Sequence, residues 1–214
     1  MALEGWEVRP VERKVAQTMV VKNHYLHRHA PCSKAFGLYD PDGDLRGVVM
    51  YGMPASPFPR RGLAGSENQH LVGELTRLWI EDGTPKNSES FLIGNTLRES
   101  GYELLLSFAE PDRGHRGVVY QATNWLYTGL SSKHVQWVID GKLEGHSRHA
   151  FDEWGGVEGA KKALGDRMTR GERPRKHRYV FVNARGRRRK ELIRSLRYPV
   201  VPYPKERRET GEQK

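Results

Sequence analysis

The sequence lacks several features that would place it in well-defined protein classes. A single cysteine, Cys32, excludes an internal disulfide framework and is typical of a reducing compartment. No apolar run approaches the roughly 18–20 residues of a membrane-spanning helix. The first residues, MALEGWEVRPVERK, have mixed charge and lack the apolar stretch of a signal peptide. We therefore expect a soluble cytoplasmic protein with no membrane partner.

Positive charge is in excess in only one part of the chain. The net charge is +10, yet residues 1–166 hold 19 Lys and Arg against 21 Asp and Glu. Residues 167–214 hold 17 against 5. A concentrated basic segment can neutralise phosphates and release their counterions, which drives binding to nucleic acid. We therefore expect one domain over residues 1–166 and a basic extension over residues 167–214 that contacts nucleic acid; a solubilising or disordered tail is the alternative.

Two segments hold the candidate DNA-binding residues. A basic helix is predicted at GRRRKELIRSLR, and its candidate residues are Arg187, Arg188, Arg189, Lys190 and Arg194. A long loop is predicted at residues 54–70, which are rich in Pro, Gly and Ser and include Phe58, Arg60 and Arg61. We expect this loop to approach a DNA groove.

The order of predicted elements indicates a mixed α/β sheet with helices on its faces. An amphipathic helix at residues 10–24 is followed by a hairpin with Asp42 and Gly43 at its tip. VGELTRLWI (residues 72–80) is predicted as a strand. Strict alternation along it would place Leu75, Arg77 and Trp79 on one face. Further strands are predicted at YELLLSFAE, HVQWVIDGK and KHRYVFVNA.

A helix N-terminus after the strand at residues 72–80 is the first candidate site. Ser88 is a good N-cap for the segment SESFLIGNTLRES. Lys86, Asn87, Ser88 and Ser90 surround this end with hydrogen-bond donors, and a helix N-terminus attracts phosphate. The G-x-x-x-x-G-K pattern of a Walker P-loop is absent. A well-capped helix that binds nothing is the alternative.

The segment SFAEPDRGHRGVVYQATNWLYTG is the second candidate site. Two carboxylates, Glu110 and Asp112, follow a buried-type strand, and Tyr120 lies early in the next helix. A phenol at this position could donate a proton to a leaving group. The alternative is that the acids are solvated and the tyrosine belongs to the edge of the core.

A histidine cluster, NHYLHRH (residues 23–29), follows the first helix. His24, His27 and His29 fall within six positions, beside Tyr25. Histidine with carboxylates at an open position is the composition of a non-haem iron centre. His24 with Glu110 is the candidate ligand pair; a histidine that only forms hydrogen bonds is the alternative.

From about residue 22 to residue 130, the sequence resembles the Mom family of phage DNA-modification proteins. ELTR, PKNSES, SFAE and YQAT are close to the family's E-L-x-R, P-[KR]-N-S-E-S, S-F-A-D and Y-x-A-[ST], and NHY matches an N-H-Y element. The family looks like a variant of the GNAT acyltransferases. It is associated with converting adenine in DNA to an N6-carbamoylmethyl derivative, which protects phage DNA from restriction in the host cytoplasm.

The resemblance implies roles for the candidate residues. It implies a GNAT-like, mostly antiparallel sheet flanked by helices, with residues 1–166 as the catalytic domain and acetyl-CoA as cofactor. It also implies double-stranded DNA as the partner of the basic extension. Arg77 and the segment from Lys86 to Ser90 would hold the cofactor's phosphates, although the glycine-rich Q/R-x-x-G-x-G/A pattern is missing. Tyr120 would protonate the departing thiolate, and His24 and Tyr25 would lie in the catalytic site. Glu110 replaces the family's aspartate, so Asp112 is a second candidate, and iron is a further cofactor that the family's chemistry suggests.

Two other functions fit parts of the sequence. A metal-dependent nuclease could be built from His24, Glu110 and Asp112, and it would cleave DNA strands when a divalent ion is added. A non-enzymatic DNA-binding protein would depend on the basic extension alone. The sequence leaves the oligomeric state open, a dimer included.

Overall fold

The main feature of the computed structural model, which describes residues 3–111, 114–142 and 151–204, is a seven-stranded sheet. Pairing is antiparallel at four described junctions and parallel between the fourth and fifth strands. The predicted mixed, mostly antiparallel sheet is therefore confirmed. In spatial order the strands are β1 (Glu7–Pro10), β2 (Lys34–Tyr39), β3 (Leu45–Gly52), β4 (Val72–Ile80), β5 (Leu104–Ala109), β9 (His177–Val182) and β6 (Leu126–Leu130).

Helices cover both faces of this sheet, as predicted. Helices α3 (Ser88–Thr96) and α4 (Val118–Ala122) pack on one face, where Leu92 and Tyr120 join Leu75 and Leu105 in a core cluster. We call this the α3/α4 face. The opposite face, called the α1/α2 face, is covered by α1 (Arg13–Asn23), α2 (Pro57–Asn68) and α6 (Gly186–Ser195). A ligand can therefore reach the sheet from two opposite faces.

The prediction of a loop at residues 54–70 is wrong, because most of this segment is helix α2. Ser56 is its N-cap, and its side chain accepts a hydrogen bond from the backbone N–H of Phe58. Pro57 occupies the first helical position, where its missing N–H costs nothing. Leu63 is fully buried in the core of the α1/α2 face. The free energy gained by burying one side of the helix outweighs the poor intrinsic helix propensity of this sequence.

A β-bulge in β4 overturns the predicted alternation of its side chains. Met50 pairs with Arg77, whereas Tyr51 pairs with Leu75, so Thr76 is an extra residue in the ladder. Leu75 therefore faces α3, in the same cluster as Leu78, and Arg77 lies opposite Met50 on the α1/α2 face. A bulge shifts the period-two pattern by one residue, which sequence alternation alone does not reveal.

A second unit comprises residues 110–115 and 130–176. Within it, β7 (His134–Ile139) and β8 (Met168–Arg173) form an antiparallel pair. Its core contains Ile139, Phe151, Met168 and Ala160, which lies on helix α5 (Val157–Leu164). The predicted boundary at residues 166 and 167 does not coincide with this division, because β8 belongs to the second unit while β9 and α6 belong to the first. Among the described residues, no helix is both long and apolar enough to cross a bilayer.

The last described residues pack against the first unit. Helix α6 confirms the predicted basic helix, and the chain then runs in an extended course to Pro204. The N–H of Val201 donates to the carbonyl of Tyr127 at 2.9 Å, and the Tyr203 hydroxyl donates to the carbonyl of Trp125 at 2.7 Å. This segment therefore supports the aromatic cluster around Tyr120.

A hydrogen-bonded pair beside that cluster gives a pH-dependent prediction. Tyr127 Oη lies 2.7 Å from His177 Nδ1, and burial, followed by the nearby charge of Arg116, holds the pKa of His177 below its ordinary 6.5. The unfolded chain therefore takes up this proton first as the pH falls. The stabilisation is complete above pH 6.5 and is lost as the pH falls through the lower native pKa. Melting temperatures between about pH 7.5 and 5 should fall less for His177→Asn than for the unchanged protein.

Candidate active site

The centre of the sheet is open where β4 and β5 stop pairing. Their parallel ladder joins only Val72–Glu74 to Leu104–Leu106. Beyond these residues β4 pairs with β3 alone, and β5 pairs with β9 alone. From Leu75 and Ser107 onward the facing edges of the two strands are not paired with each other, and we call this gap in the pairing the opening. An edge of this kind can pair with an extended ligand that carries amide groups.

Tyr120 places its hydroxyl at the start of this opening. Ser107 Oγ donates to Tyr120 Oη at 2.8 Å. Ser107 Oγ also lies 3.3 Å from the carbonyl oxygen of Leu75 on β4. The Tyr120 ring packs between Trp125 and Tyr179, with 5.1 Å between ring centroids in both cases. Helix α4 thus presents one phenol, 8% exposed, between the two diverging strands.

The surroundings keep this phenol protonated. Burial raises the pKa of Tyr120 to about 12, against the hydrogen bond from Ser107, which lowers it. Tyr25 and Glu74 lie close enough to raise the pKa further. The Tyr120 proton is available for another acceptor when the single hydroxyl proton of Ser107 points to Tyr120 Oη and not to the carbonyl of Leu75. The group is therefore suited to donate a hydrogen bond or a proton to a developing anion.

The helix start that was predicted to bind phosphate is α3, and its N-cap is Asn87, not the predicted Ser88. Asn87 has a left-handed φ of 73° and makes no capping bond with its side chain. Ser88 is fully buried, and its hydroxyl donates to the carbonyl of Pro85 at 2.7 Å. Ser90 Oγ donates to the carbonyl of Asn87 at 3.0 Å. Ser88 is thus a structural residue of the turn.

A groove of about 470 Å³ runs along α3 on the α3/α4 face. Of the predicted cofactor-binding residues, Asn87 and Ser90 line it, while Lys86 and Ser88 do not. Opposite them the end of α4 contributes Thr123 and Asn124. The groove therefore connects the N-terminus of α3 with the helix that carries Tyr120.

Several groove residues were not predicted from the sequence, among them Gly94, Arg98 and Asn124. Gly94 and Arg98 follow Asn87 and Ser90 at the spacing of one helical face, so the period of α3 could have revealed them. Asn124 has a left-handed φ of 61° at the end of α4, and its position depends on tertiary structure. Arg98 adds a cation to the groove, which suits a ligand that carries phosphate.

Arg77 lies on the other side of the sheet from this groove. Its register partner Met50 packs on the α1/α2 face with α1, and the guanidinium donates to the carbonyl of Thr76 at 2.6 Å. The structure therefore does not bring Arg77 together with Asn87 and Ser90. The bulge at Thr76 is the physical reason.

The histidine cluster forms separate local hydrogen bonds. His24 is buried and stacks on Tyr25 at 4.2 Å, and its Nδ1 accepts the backbone N–H of Leu26. His27 Nδ1 donates to the carbonyl of Val21, and His29 Nδ1 donates to the side-chain oxygen of Gln17. His24 and Tyr25 together follow α1, and the electrostatic effect of Tyr25 on Tyr120 connects this segment with the phenol.

The two candidate carboxylates belong to a different part of the chain. Glu110, in the second unit, forms an ion pair with Lys176. Asp112 lies outside the described residues. Within residues 3–111, 114–142 and 151–204, no group of three or more His, Cys, Asp or Glu side chains is placed to hold a metal ion. The predicted iron site at His24 and Glu110 has no support from these residues.

Helices α2 and α6, which carry the predicted DNA-binding residues, both pack on the α1/α2 face. The N–H of Arg197 donates to the carbonyl of Leu63 at 2.8 Å, which holds the end of α6 against α2. Lys190 and Arg194 are exposed on α6, while Arg187 and Arg188 form ion pairs with Glu191 and Glu103. We call this the basic surface; its residues are Arg60, Arg61, Arg187, Arg188, Arg189, Lys190 and Arg194.

An opened mixed sheet with a protonated phenol at its centre is the architecture of an acyltransferase-like enzyme, the class that the sequence predicts. The chain belongs to the Mom protein family, which it matches over residues 5–205. It is 29% identical to the methylcarbamoylase mom of Escherichia phage Mu over 198 residues, which cover 89% of this chain and 80% of that protein. The predicted family resemblance is confirmed.

Solved acetyltransferase structures are also similar to the chain, at low sequence identity. The ribosomal-protein-S5-alanine acetyltransferase of Vibrio fischeri is 11% identical, with a TM-score of 0.46 over 86% of this chain and 96% of its own. The protein yncA of Salmonella typhimurium, solved with its cofactor acetyl-CoA, is 8% identical, with a TM-score of 0.48 over 86% and 97%. These likenesses are distant, and the family membership rests on the sequence match.

Proposed function

We propose that this protein modifies adenine in DNA at N6, with acetyl-CoA as the donor of the two-carbon unit, and leaves an N6-carbamoylmethyl group. The observation that carries the proposal is the opening between β4 and β5, where Tyr120 Oη lies within 2.8 Å of Ser107 Oγ. The relative in phage Mu is named a methylcarbamoylase, which supports this product. The modification would protect phage DNA from restriction in the host cytoplasm.

The groove and the opening together suit acetyl-CoA. The N-terminus of α3, with Asn87 and Ser90, offers donors to a diphosphate, and Arg98 offers a cation. The pantetheine arm carries two amides, and the backbone edges of β4 and β5 that are not paired with each other can pair with them. This path leads the thioester toward Tyr120. We infer that acetyl-CoA approaches from the α3/α4 face.

Tyr120 supports the departure of the thiolate in this proposal. At neutral pH a phenol with a pKa of about 12 stays protonated and can donate to a sulfur anion in a site that excludes water. Attachment through the methyl carbon and the added carbamoyl nitrogen go beyond simple acyl transfer. The new bond from N6 replaces a C–H bond of the methyl group, which is a two-electron oxidation, and the carbamoyl nitrogen displaces the thiolate. The complete reaction therefore needs a two-electron oxidant and a nitrogen donor in addition to acetyl-CoA.

The basic surface is our candidate for the DNA backbone, and its salt dependence gives a prediction. Replacing Lys190 and Arg194 together by alanine should reduce the slope of log Kobs against log salt by about two units, since each lost phosphate contact removes about 0.9. Fluorescence anisotropy with a random-sequence duplex measures this slope. A double alanine variant at Lys133 and Lys161, two lysines of the second unit, serves as the matched control and should keep the original slope.

Nucleoside mass spectrometry tests the proposed function directly. DNA from cells that express the protein should contain an adenosine heavier by the mass of a carbamoylmethyl group. DNA that stays unmodified while the protein is soluble and binds acetyl-CoA would reject the proposal. Strand cleavage after addition of a divalent ion would instead favour the nuclease.

A further inference from the structure

Large apolar side chains are exposed at the start of α2, just before α2, and just after α1. Phe58 is 78% exposed, Met53 is 50% exposed, and Tyr25 is 42% exposed. Met53 to Phe58 lead from β3 into α2, and Tyr25 follows α1; both helices pack on the α1/α2 face. Phe58 is the most exposed large hydrophobic side chain among the described residues, and a partner that covers it would gain the free energy of burying its ring.

The loop after α1 and the end of β3 meet beside the opening in the sheet. Thr76, the extra residue of the β4 bulge, donates through its hydroxyl to the carbonyl of Pro31 at 2.9 Å. A Cβ added at Gly52 would collide with the same carbonyl, so the end of β3 contacts the loop after α1 directly. This loop is therefore fixed against β4, and the chain leaves for Phe58 from Gly52, which pairs with Glu74 at the end of the β4–β5 ladder. The groove for the cofactor lies on the opposite face.

Phe58 is held in place by its neighbours in sequence. Pro57 and Pro59 restrict the backbone on either side of it, and Ser56 accepts its N–H at 3.3 Å as the N-cap of α2. A side chain presented in this way loses little backbone entropy when a ligand covers it. Arg60 and Arg61 follow at once and belong to the basic surface, so the surroundings of the exposed ring are complementary to a polyanion.

We propose that Phe58 inserts into duplex DNA and fills the space left by the adenine that is extruded toward Tyr120. This inference rests on the proposed function and adds the means by which the base is reached. An exocyclic amine within a base pair is accessible to an enzyme only after the base leaves the stack. An inserted aromatic ring stacks on the exposed neighbouring bases and so offsets part of the cost of extrusion.

The test compares paired and mispaired adenine. The full-length protein, Phe58→Ala and Phe58→Trp react with random-sequence duplexes in which adenine lies opposite thymine or opposite cytosine, and mass spectrometry quantifies the product. A mispaired base costs less to extrude. We expect Phe58→Ala to lose roughly tenfold or more on paired adenine, about twofold or less on mispaired adenine, and Phe58→Trp to restore activity. Val135→Ala, a truncation at a 56% exposed residue of the second unit, should change neither rate.

The possible outcomes distinguish failure of the proposed Phe58 insertion, here called the wedge, from failure of the proposed function. Equal losses of Phe58→Ala on both duplexes, or no loss on either, would overturn the wedge while the unchanged protein still modifies DNA. A dimer that dissociates in Phe58→Ala, seen by light scattering without DNA, would assign Phe58 to a contact between two copies and would also overturn it. If the unchanged protein modifies neither duplex, the proposed function fails and the wedge fails with it.

Discussion

Replacing Tyr120 by phenylalanine should lower the rate of adenine modification by about a hundredfold or more, while acetyl-CoA still binds. The substitution removes only the hydroxyl that we assign to the departing thiolate. The ring contacts with Trp125 and Tyr179 remain, and Ser107 Oγ can turn to the carbonyl of Leu75, which lies 3.3 Å away. The fold should therefore lose no more than about 1 kcal/mol. Single-turnover rates with saturating acetyl-CoA measure the effect.

Tyr51 provides a matched control for this substitution. Tyr51 is also fully buried in the core of the α3/α4 face, and its hydroxyl is 2.7 Å from the hydroxyl of Thr96. Tyr51→Phe should cost a similar amount of stability and leave the rate within about twofold. If Tyr120→Phe keeps full activity, or if Tyr51→Phe loses as much, the phenol at the opening has no special part in the reaction.

Replacing Gly94 by tryptophan should abolish the binding of acetyl-CoA. Gly94 lines the groove along α3, and a Cβ built there meets no atom within 4 Å, so a larger side chain extends into the groove. At 100 times its dissociation constant the cofactor should stabilise the unchanged protein by about 2.7 kcal/mol. For a chain of this length that corresponds to roughly 5–10 °C in melting temperature. The tryptophan variant should show no shift.

The alanine variant at the same position separates blocking of the groove from damage to the helix. Gly94→Ala should still bind acetyl-CoA and should raise stability by about 0.5–1 kcal/mol, because alanine is the better helix former and the added methyl group meets no neighbour. A tryptophan variant that still shifts with acetyl-CoA, while its fold is intact by circular dichroism, would place the cofactor elsewhere.

Short-range patterns allowed much of the fold to be predicted. The Asp42–Gly43 turn, the β4 strand and α3 follow from local turn, strand and helix signals, and Tyr120 was located because its segment matches a family motif. The residues of α3 that line the groove could have been predicted in the same way. They share one helical face: Asn87, Ser90, Gly94 and Arg98. Local propensity and periodicity determine such features.

Features that depend on distant contacts could not be predicted in this way. Helix α2 has weak intrinsic propensity and forms because Leu63 is buried against β4 and β5. The position of Arg77 depends on one extra residue in the β4 ladder, which is recognisable only from its pairing with β3. The end of the β4–β5 pairing depends on the paths of two strands that lie far apart in sequence. Tertiary structure overrides local pattern at all three places.

A crystal structure of the protein with acetyl-CoA and a DNA duplex would test the central claim most directly. The proposal predicts the diphosphate at Asn87 and Ser90, the pantetheine amides on the free edges of β4 and β5, and the thioester sulfur within hydrogen-bond reach of Tyr120 Oη. A cofactor bound outside the groove, or a sulfur separated from the phenol by protein side chains, would contradict it.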